Sequence, residues 1–266
     1  MKIHPTALVA DGAKLADDVE VGPYSIISAE SEVGAGCVIG AHAMLENRVV
    51  LGEGTRVGHG AILGANPQDL GFDISRRDTG VRVGKGNVIR EYVIIHRATK
   101  EGGDTIVGDG NFFMTGFHMG HDSVVGNRVI AANNVLLGGH VQVDDGAFLG
   151  GGSVFHQFLR IGGLSMVRGG CRFSKNIPPF LVVTGENCVA GINSIGLRRA
   201  GLSADARREI RMAFKQLYQS GMNVSQALEA ASREAWGLEG TLFFNFVRES
   251  RKRGICDYIG ISAEDE

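Results

Sequence analysis

A six-residue beat runs through most of this chain and narrows what it can fold into. From Val107 it falls on Phe113, Met119, Val125, Ala131, Leu137, Val143, Leu149, Phe155, Ile161, Val167 and Phe173. Four residues after each sits a mostly small companion, such as Ser123, Val129, Ala147, Ser153, Ser165 and Cys171. Amphipathic helices repeat near 3.6 residues and half-buried strands at 2, so neither produces sixes. A fixed hexad marks a parallel β-helix, a three-sided coil with one hexad on each side. Residues eighteen apart then lie above one another on neighbouring coils. The same beat opens the chain at Ile3 and holds through Val9, Leu15, Val21 and on to Leu63.

Two stretches disturb the beat. Residues 66–82 lose it, and Leu63 to Val83 is no multiple of six, so the chain must leave the coil there. Loops pushed out of a rigid scaffold often carry function. A second excursion is expected over 97–106, where Glu101 falls on the core position although phase is kept to Val107. The in-phase hexads sum to about nine to ten coils, stacked at roughly 4.8 Å. Glycine fits such a scaffold, which bends every sixth residue: 40 of 266 residues are Gly, about twice the usual share of roughly 7%.

Ile177-Pro178-Pro179 is expected to close the repeat. The open end needs a cap, because unpaired strand edges invite aggregation. Ser203 has the chemistry of an N-cap before a helix over 204–220, with Gly221 as its stop. Ile210, Met212, Phe214 and Leu217 form its apolar stripe, and Arg207, Arg208, Arg211 and Lys215 face elsewhere. Further helices are expected over 225–236 and about 241–252, with a basic excess at Arg248, Arg251, Lys252 and Arg253. The division is a coil over 1–190, with its extruded loop near 66–82, and a helical domain over 191–266.

A net charge of −2 argues against a nucleic-acid partner. No apolar run of ~18 residues occurs, so no membrane span is expected. The first residues show no signal-peptide pattern. The four cysteines are scattered without a CxxC, and Cys37 and Cys171 fall on the small core position. A cytoplasmic location is the expectation.

The chemistry concentrates in GFHMGHD, residues 116–122. Counting from His121 by eighteens reaches Gly139 and then Gln157, all third in their hexads and so on the outer surface of one column. A histidine beside a bare backbone N–H is a general base next to an oxyanion site. Asp122 can fix the imidazole tautomer. His140 adjoins Gly139 and stacks on Asp122, and His118 and His156 lie off the inward position. Ser123 falls inward, so no nucleophile is poised, and direct transfer of an acyl group is expected. Surface histidines with ordinary hydrogen bonds are the plainer reading. A zinc site shared between coils, as in the trimeric γ-class carbonic anhydrases, is the sharper rival. No two histidines are 36 apart, which weakens it, and no metal or other cofactor is expected.

Several longer motifs accompany the hexads: IHPTA, NPQDL, IREYVIIHR (89–97), GNRVIAANNVLLGGHVQVDD (126–145), VFHQF (154–158), IPPF and GINSIGLRRAGL (191–202). In these the chain resembles the UDP-N-acetylglucosamine O-acyltransferase family, which catalyses the first step of lipid A synthesis. The resemblance implies a homotrimer of left-handed β-helices with active sites between subunits. It implies transfer of a 3-hydroxyacyl chain from acyl carrier protein to the glucosamine 3-hydroxyl of UDP-N-acetylglucosamine. By position, it makes His121 the base, Asp122 its orienting partner and Gly139 N–H the oxyanion donor. It puts His118, His140, His156 and Gln157 in the substrate cleft and Asp69 on the sugar. Asn193 and Arg199 would hold the nucleotide, and Gly169 falls where the family limits acyl length. The basic C-terminal helices would meet the acidic carrier. The related N-acyltransferases usually carry a uridine-binding domain ahead of the coils, whereas here the coils begin at Ile3. The chain departs from the family pattern at Gly71, Ile195 and Ala200, where lysine, glutamate and arginine are common. Whether the acceptor is the plain or a 3-amino sugar nucleotide stays open.

Overall fold

The computed structural model describes residues 1–250 and 252–259. The hexads fold as a left-handed parallel β-helix whose three walls are sheets of 12, 9 and 8 strands. Most rungs are two-residue strands, such as His118–Met119 and Leu136–Leu137, because each hexad spends its other residues on the corner. From Val21 to Phe173, beyond the more open first coil, the second residue of each two-residue rung points in and is buried, so Val125, Leu137, Val143, Leu149, Phe155 and Phe173 share one continuous core. The companion position is buried too. Its hydroxyls and thiols bond to carbonyls of the next coil: Ser25 to Gly40 O at 2.8 Å, Ser123 to Gly138 O at 3.1 Å, Cys37 to Gly52 O at 3.2 Å. Two asparagines occupy this position, and inside the prism Asn111 Nδ2 donates to Asn87 Oδ1 at 2.9 Å.

The register gives both interruptions an exact length. Arg56 pairs with Val88, thirty-two residues on instead of eighteen, so the first excursion adds fourteen residues. The strand resumes at Gly80, before the apolar beat returns at Val83. Val88 pairs with Phe112, twenty-four on, so the second excursion adds six. One whole extra hexad is why the phase survives it.

The repeat does not close at Ile177-Pro178-Pro179 as expected. Ile161 bridges to Ile177, and Met166 pairs in parallel with Val182, so one further rung forms on a coil shortened to sixteen residues. The chain then reverses. Leu181–Thr184 pairs antiparallel with Cys188–Ile192, and Asp257–Tyr258 adds the last strand.

Four helices pack at this end: α1 Ser194–Arg199, α2 Ala204–Tyr218, α3 Val224–Ala231 and α4 Leu238–Glu249. Ser203 caps α2 as expected, its side chain accepting from Ala206 N. Met212 is a correction. It is 51% exposed, and Ala213 takes its place beside Ile210, Phe214 and Leu217 on the buried face. The helix expected over 225–236 ends at Ala231, where the Ser232 hydroxyl folds back onto Glu229 O. The one expected over 241–252 starts earlier, at Leu238, and ends at Glu249. Arg251 of the basic excess lies outside the described residues. Among the described residues no helix is long and apolar enough to cross a membrane.

Candidate active site

The corner between the second and third walls carries the site. At successive rungs Asp122, His140 and Phe158 adopt left-handed backbone angles, φ 58°, 59° and 66°. That conformation costs an ordinary L-residue about 1 kcal/mol. Here it turns the chain while His140 N donates to His121 O and Phe158 N to Gly139 O, both at 2.9 Å. His121, Gly139 and Gln157 therefore stack as the count by eighteens requires.

The His121 ring sits against Gly139, with Nε2 and Cε1 nearest. A β-carbon on Gly139 would stand 2.7 Å from His121 Nε2, closer than any contact between unbonded atoms of these types. Only glycine leaves the imidazole this seat. The N–H groups of Gly138 and His140 are used by the coil, whereas among the described residues Gly139 N–H has no acceptor. His121 Nδ1 is 2.7 Å from Asp122 Oδ2. Because a carboxylate only accepts, Nδ1 carries a proton, so in the neutral imidazole it is Nε2 that keeps a lone pair.

Asp122 is held hard. The Thr99 hydroxyl donates to Oδ2 at 2.6 Å and the Thr99 N–H at 3.0 Å, and Lys100 N–H donates to Oδ1 at 3.2 Å. Burial works to raise its pKa, but the Thr99 hydroxyl, the His121 ring and the two amides outweigh it and hold it at about 2. His140 Nε2 sits 3.8 Å from the same carboxylate, and the His140 ring stacks on Phe158 at 4.5 Å.

His118, half-buried on the second wall, meets a histidine that carried no role in the sequence reading. His96 Nε2 is 3.1 Å from His118 Nε2, and His96 Nδ1 is 2.6 Å from Asn66 O. Burial lowers the pKa of both rings. The pair ties the site to the first residue of the extruded loop. The next residue, Arg97, is wholly buried and reaches across that loop to Asn66 Oδ1, Arg76 O and Thr79 Oγ1, with its guanidinium 4.9 Å from the Phe72 ring. The motif IREYVIIHR contained both residues, but its spacing says nothing of partners thirty residues away.

The remaining expected residues stand apart within one chain. Gln157 and His156 are exposed at the next rung, with His156 Nδ1 3.1 Å from Gln157 O. Asp69 is exposed in the loop and accepts from Gly71 N at 2.9 Å. Gly169 is exposed, and a β-carbon there would meet Gly151 O at 3.1 Å. Asn193 caps α1 by accepting from Gly196 N at 3.0 Å and donates to Leu164 O at 2.9 Å, while Arg199 is exposed in the last turn. Among the described residues no hydrogen bond or ion pair joins Asp69, Gly169, Asn193 or Arg199 to the His121 column. The Ser123 hydroxyl faces inward, fully buried.

Ligand atoms of His121, Asp122 and His140 lie within 4.8 Å of one another, so a cation is a chemical possibility. The 2.7 Å His121–Asp122 approach is shorter than the roughly 3.3 Å between two ligands of a tetrahedral zinc. The Asp122 oxygens are moreover occupied by Thr99 and Lys100. As they stand, His121 and Asp122 bond each other, and His140 Nε2 lies 3.8 Å from the carboxylate.

Known proteins match over nearly the whole chain. A family model described as Udp N-acetylglucosamine O-acyltransferase, Domain 2, matches residues 176–256. The acyl-[acyl-carrier-protein]--UDP-N-acetylglucosamine O-acyltransferase of Burkholderia orbicola is 42% identical over 228 residues, 85% of this chain and 86% of that protein. The protein of that name from Thermodesulfovibrio yellowstonii is 36% identical over 96% of this chain and 99% of its own. Among solved structures, the UDP-N-acetylglucosamine acyltransferase of Campylobacter jejuni superposes with a TM-score of 0.90 at 32% identity, covering 97% of this chain and 100% of that one. That of Bacteroides fragilis gives 0.89 at 38% identity, covering 95% and 99%.

Proposed function

Since this chain belongs to the UDP-N-acetylglucosamine O-acyltransferase family, with 42% identity to one member over 85% of its length, we propose that it moves a 3-hydroxyacyl chain from acyl carrier protein to the glucosamine 3-hydroxyl of UDP-N-acetylglucosamine, the first step of lipid A synthesis. The observation that carries the mechanism is the His121 imidazole, its Nδ1 bound to Asp122 and its Nε2 against Gly139.

Nε2 takes the proton of the acceptor hydroxyl as its oxygen attacks the thioester carbonyl. The new C–O bond pushes the carbonyl electron pair onto oxygen, and the Gly139 N–H stabilises that oxyanion. Asp122 stabilises the imidazolium while it exists. Collapse breaks the C–S bond, and the leaving thiolate takes the proton back from His121. No covalent enzyme intermediate is needed, which suits the inward-facing Ser123.

The quaternary state we propose is a homotrimer. The outward positions of the second wall read Leu8, Ile26, Ile62, Ile94, Leu136 and Val154, with Leu8 66% exposed. With Met44 this is an apolar stripe, broken at His118 and ended by Arg172, and such a stripe marks an interface. His118 lies in the same stripe, so a neighbouring subunit seated there would wall the site. Asp69, Gly169, Asn193 and Arg199 then meet the substrate across the subunit boundary. In this reading the coil, 1–190, holds the chemistry in a cytoplasmic enzyme, and the helical part, 191–266, receives the carrier protein.

The test is a transfer assay with UDP-N-acetylglucosamine and carrier-bound 3-hydroxyacyl chains of several lengths. His121→Ala should lose about 10²- to 10⁴-fold in rate with the oligomer intact. Retained turnover in that variant sinks the mechanism, and an inactive wild-type protein sinks the substrate assignment. Metal analysis decides the cation reading: stoichiometric zinc with activity lost to chelators would favour it.

A further inference from the structure

We propose that Thr99 is a positioning residue for the His121–Asp122 pair, and that the six-residue excursion after Ala98 delivers it. The proposal rests on the general-base reading above and adds a residue that touches neither base nor substrate.

An uninterrupted coil could not hold Asp122 in this way. Eighteen residues before Asp122 stands Asp104, the residue an uninterrupted count would stack on it, although the paired ladder reaches only Ile106–Val124 and Val107–Val125. Two stacked carboxylates would repel and drive each other toward protonation. Instead Asp104 is drawn to Arg48 at 2.6 Å and Arg82 at 3.3 Å. The extra hexad places a hydroxyl and two amides over Asp122 in its stead. An ionised carboxylate offers about four acceptor sites. Here three donors come from residues 99 and 100, and the fourth is His121. The carboxylate plane is thus fixed by the excursion, and the plane fixes the ring that leans on it. The Asp122 N–H adds a bond to Thr105 Oγ1 at 2.9 Å, which pins the corner itself.

The excursion is braced from behind by the extruded loop. Asp78 Oδ2 accepts from Gly102 N at 2.8 Å, and Arg76 Nη1 donates to Thr99 O at 3.3 Å. Arg97, two residues before Thr99, is buried against Asn66 and Thr79. The two interruptions thus form one brace with Thr99 at its tip. The charged or titratable groups around the pair are His140 at 3.8 Å, Asp104 behind its arginines, the Lys100 side chain, which is exposed, and the His96–His118 couple.

A purely structural Thr99 would matter for folding and leave the pH dependence alone. The full-length oligomer is compared as wild type, Thr99→Val and Thr99→Ser, with kcat and KM followed from pH 5 to 9. Thr99→Val is expected to lower kcat about 10- to 100-fold, as small misplacements of a catalytic pair do, with KM for the sugar nucleotide little changed. Without the hydroxyl Asp122 becomes a stronger acceptor for the imidazolium, so the acidic limb of the profile moves to higher pH. Thr99→Ser should restore both. Should Thr99→Val fail to fold, Thr99→Ala serves in its place. A wild-type kcat and limb in the hydroxyl-free variant, or equal impairment of Thr99→Ser, overturns the proposal. His121→Asn separates the two readings. If it keeps turnover, the general base is wrong. If it is inactive while Thr99→Val is unimpaired, only the role of Thr99 falls.

Discussion

The coils from Val107 to Phe173 and those from Leu63 to Val107 share a core and a register, but they do different work. The later coils are uninterrupted, and their strict eighteen-residue stacking sets His121 beside Gly139. The earlier coils carry the excursions of fourteen and six residues; the second supplies Thr99 and Lys100, and the first meets His96 and Arg97 of the coil through Asn66. In the proposed mechanism repetition aligns the reacting groups, and interruption provides the hydrogen bonds that orient them. A periodic scaffold offers every rung the same surroundings, so a unique site needs its period broken nearby.

The largest effect expected after loss of His121 itself belongs to the regular coils. Gly139→Ala places a methyl 2.7 Å from the His121 Nε2 position, so the ring must tilt off the oxyanion donor. Transfer should fall about 10²- to 10³-fold, as when an oxyanion donor is lost, with thermal stability nearly unchanged. Wild-type turnover would mean that the ring is not seated on Gly139 in the working enzyme.

Next comes the interrupted region. Arg97→Met keeps volume but leaves Asn66 Oδ1 and the carbonyls of Ile74 and Arg76 without their buried donor. We expect about 3 kcal/mol of local destabilisation, read as faster hydrogen exchange confined to residues 66–79 and 97–103. Exchange rising equally through 107–173 would contradict the division between the two regions.

The pH dependence of stability sits where the regions meet. Asp122 is held at about 2, below the ordinary 3.8, so its contribution is present above about pH 4 and is lost as pH falls toward 2. It amounts to about 2 kcal/mol, and Asp122→Asn should flatten that part of the acid-unfolding curve.

The smallest effect again belongs to the regular coils. Cys37 occupies the companion position where Ser25 and Ser123 bond carbonyls of the next coil, and its thiol already faces Gly52 O. Cys37→Ser should shift stability by less than about 1 kcal/mol, checked by thermal unfolding.

This contrast also explains what the sequence discloses. The beat of sixes reveals the coil, its buried companion serines and the His121–Gly139–Gln157 column, because each follows from counting. Ser203 is legible because an N-cap is local chemistry. The grip of Thr99 on Asp122 is not legible. It spans an insertion whose path no period dictates, and Glu101 at a core position signals only that the chain leaves the coil. His96 is hidden for a related reason: its partners, Asn66 and His118, lie across the two insertions. The rung after Ile177 escapes notice because its coil is shortened to sixteen residues. Met212 fits a stripe by spacing, yet α2 turns the adjacent Ala213 inward, a choice that its packing against α4 makes and helical periodicity leaves open.

The measurement that bears most directly on the account is the pH–rate profile of acyl transfer for wild type and His121→Asn, from pH 8 to pH 5 in the assembled enzyme. The account predicts a wild-type rate that falls on acidification as the imidazole takes up a proton, and a variant rate that is low and flat. A flat wild-type profile, or a variant that turns over like wild type, would contradict it.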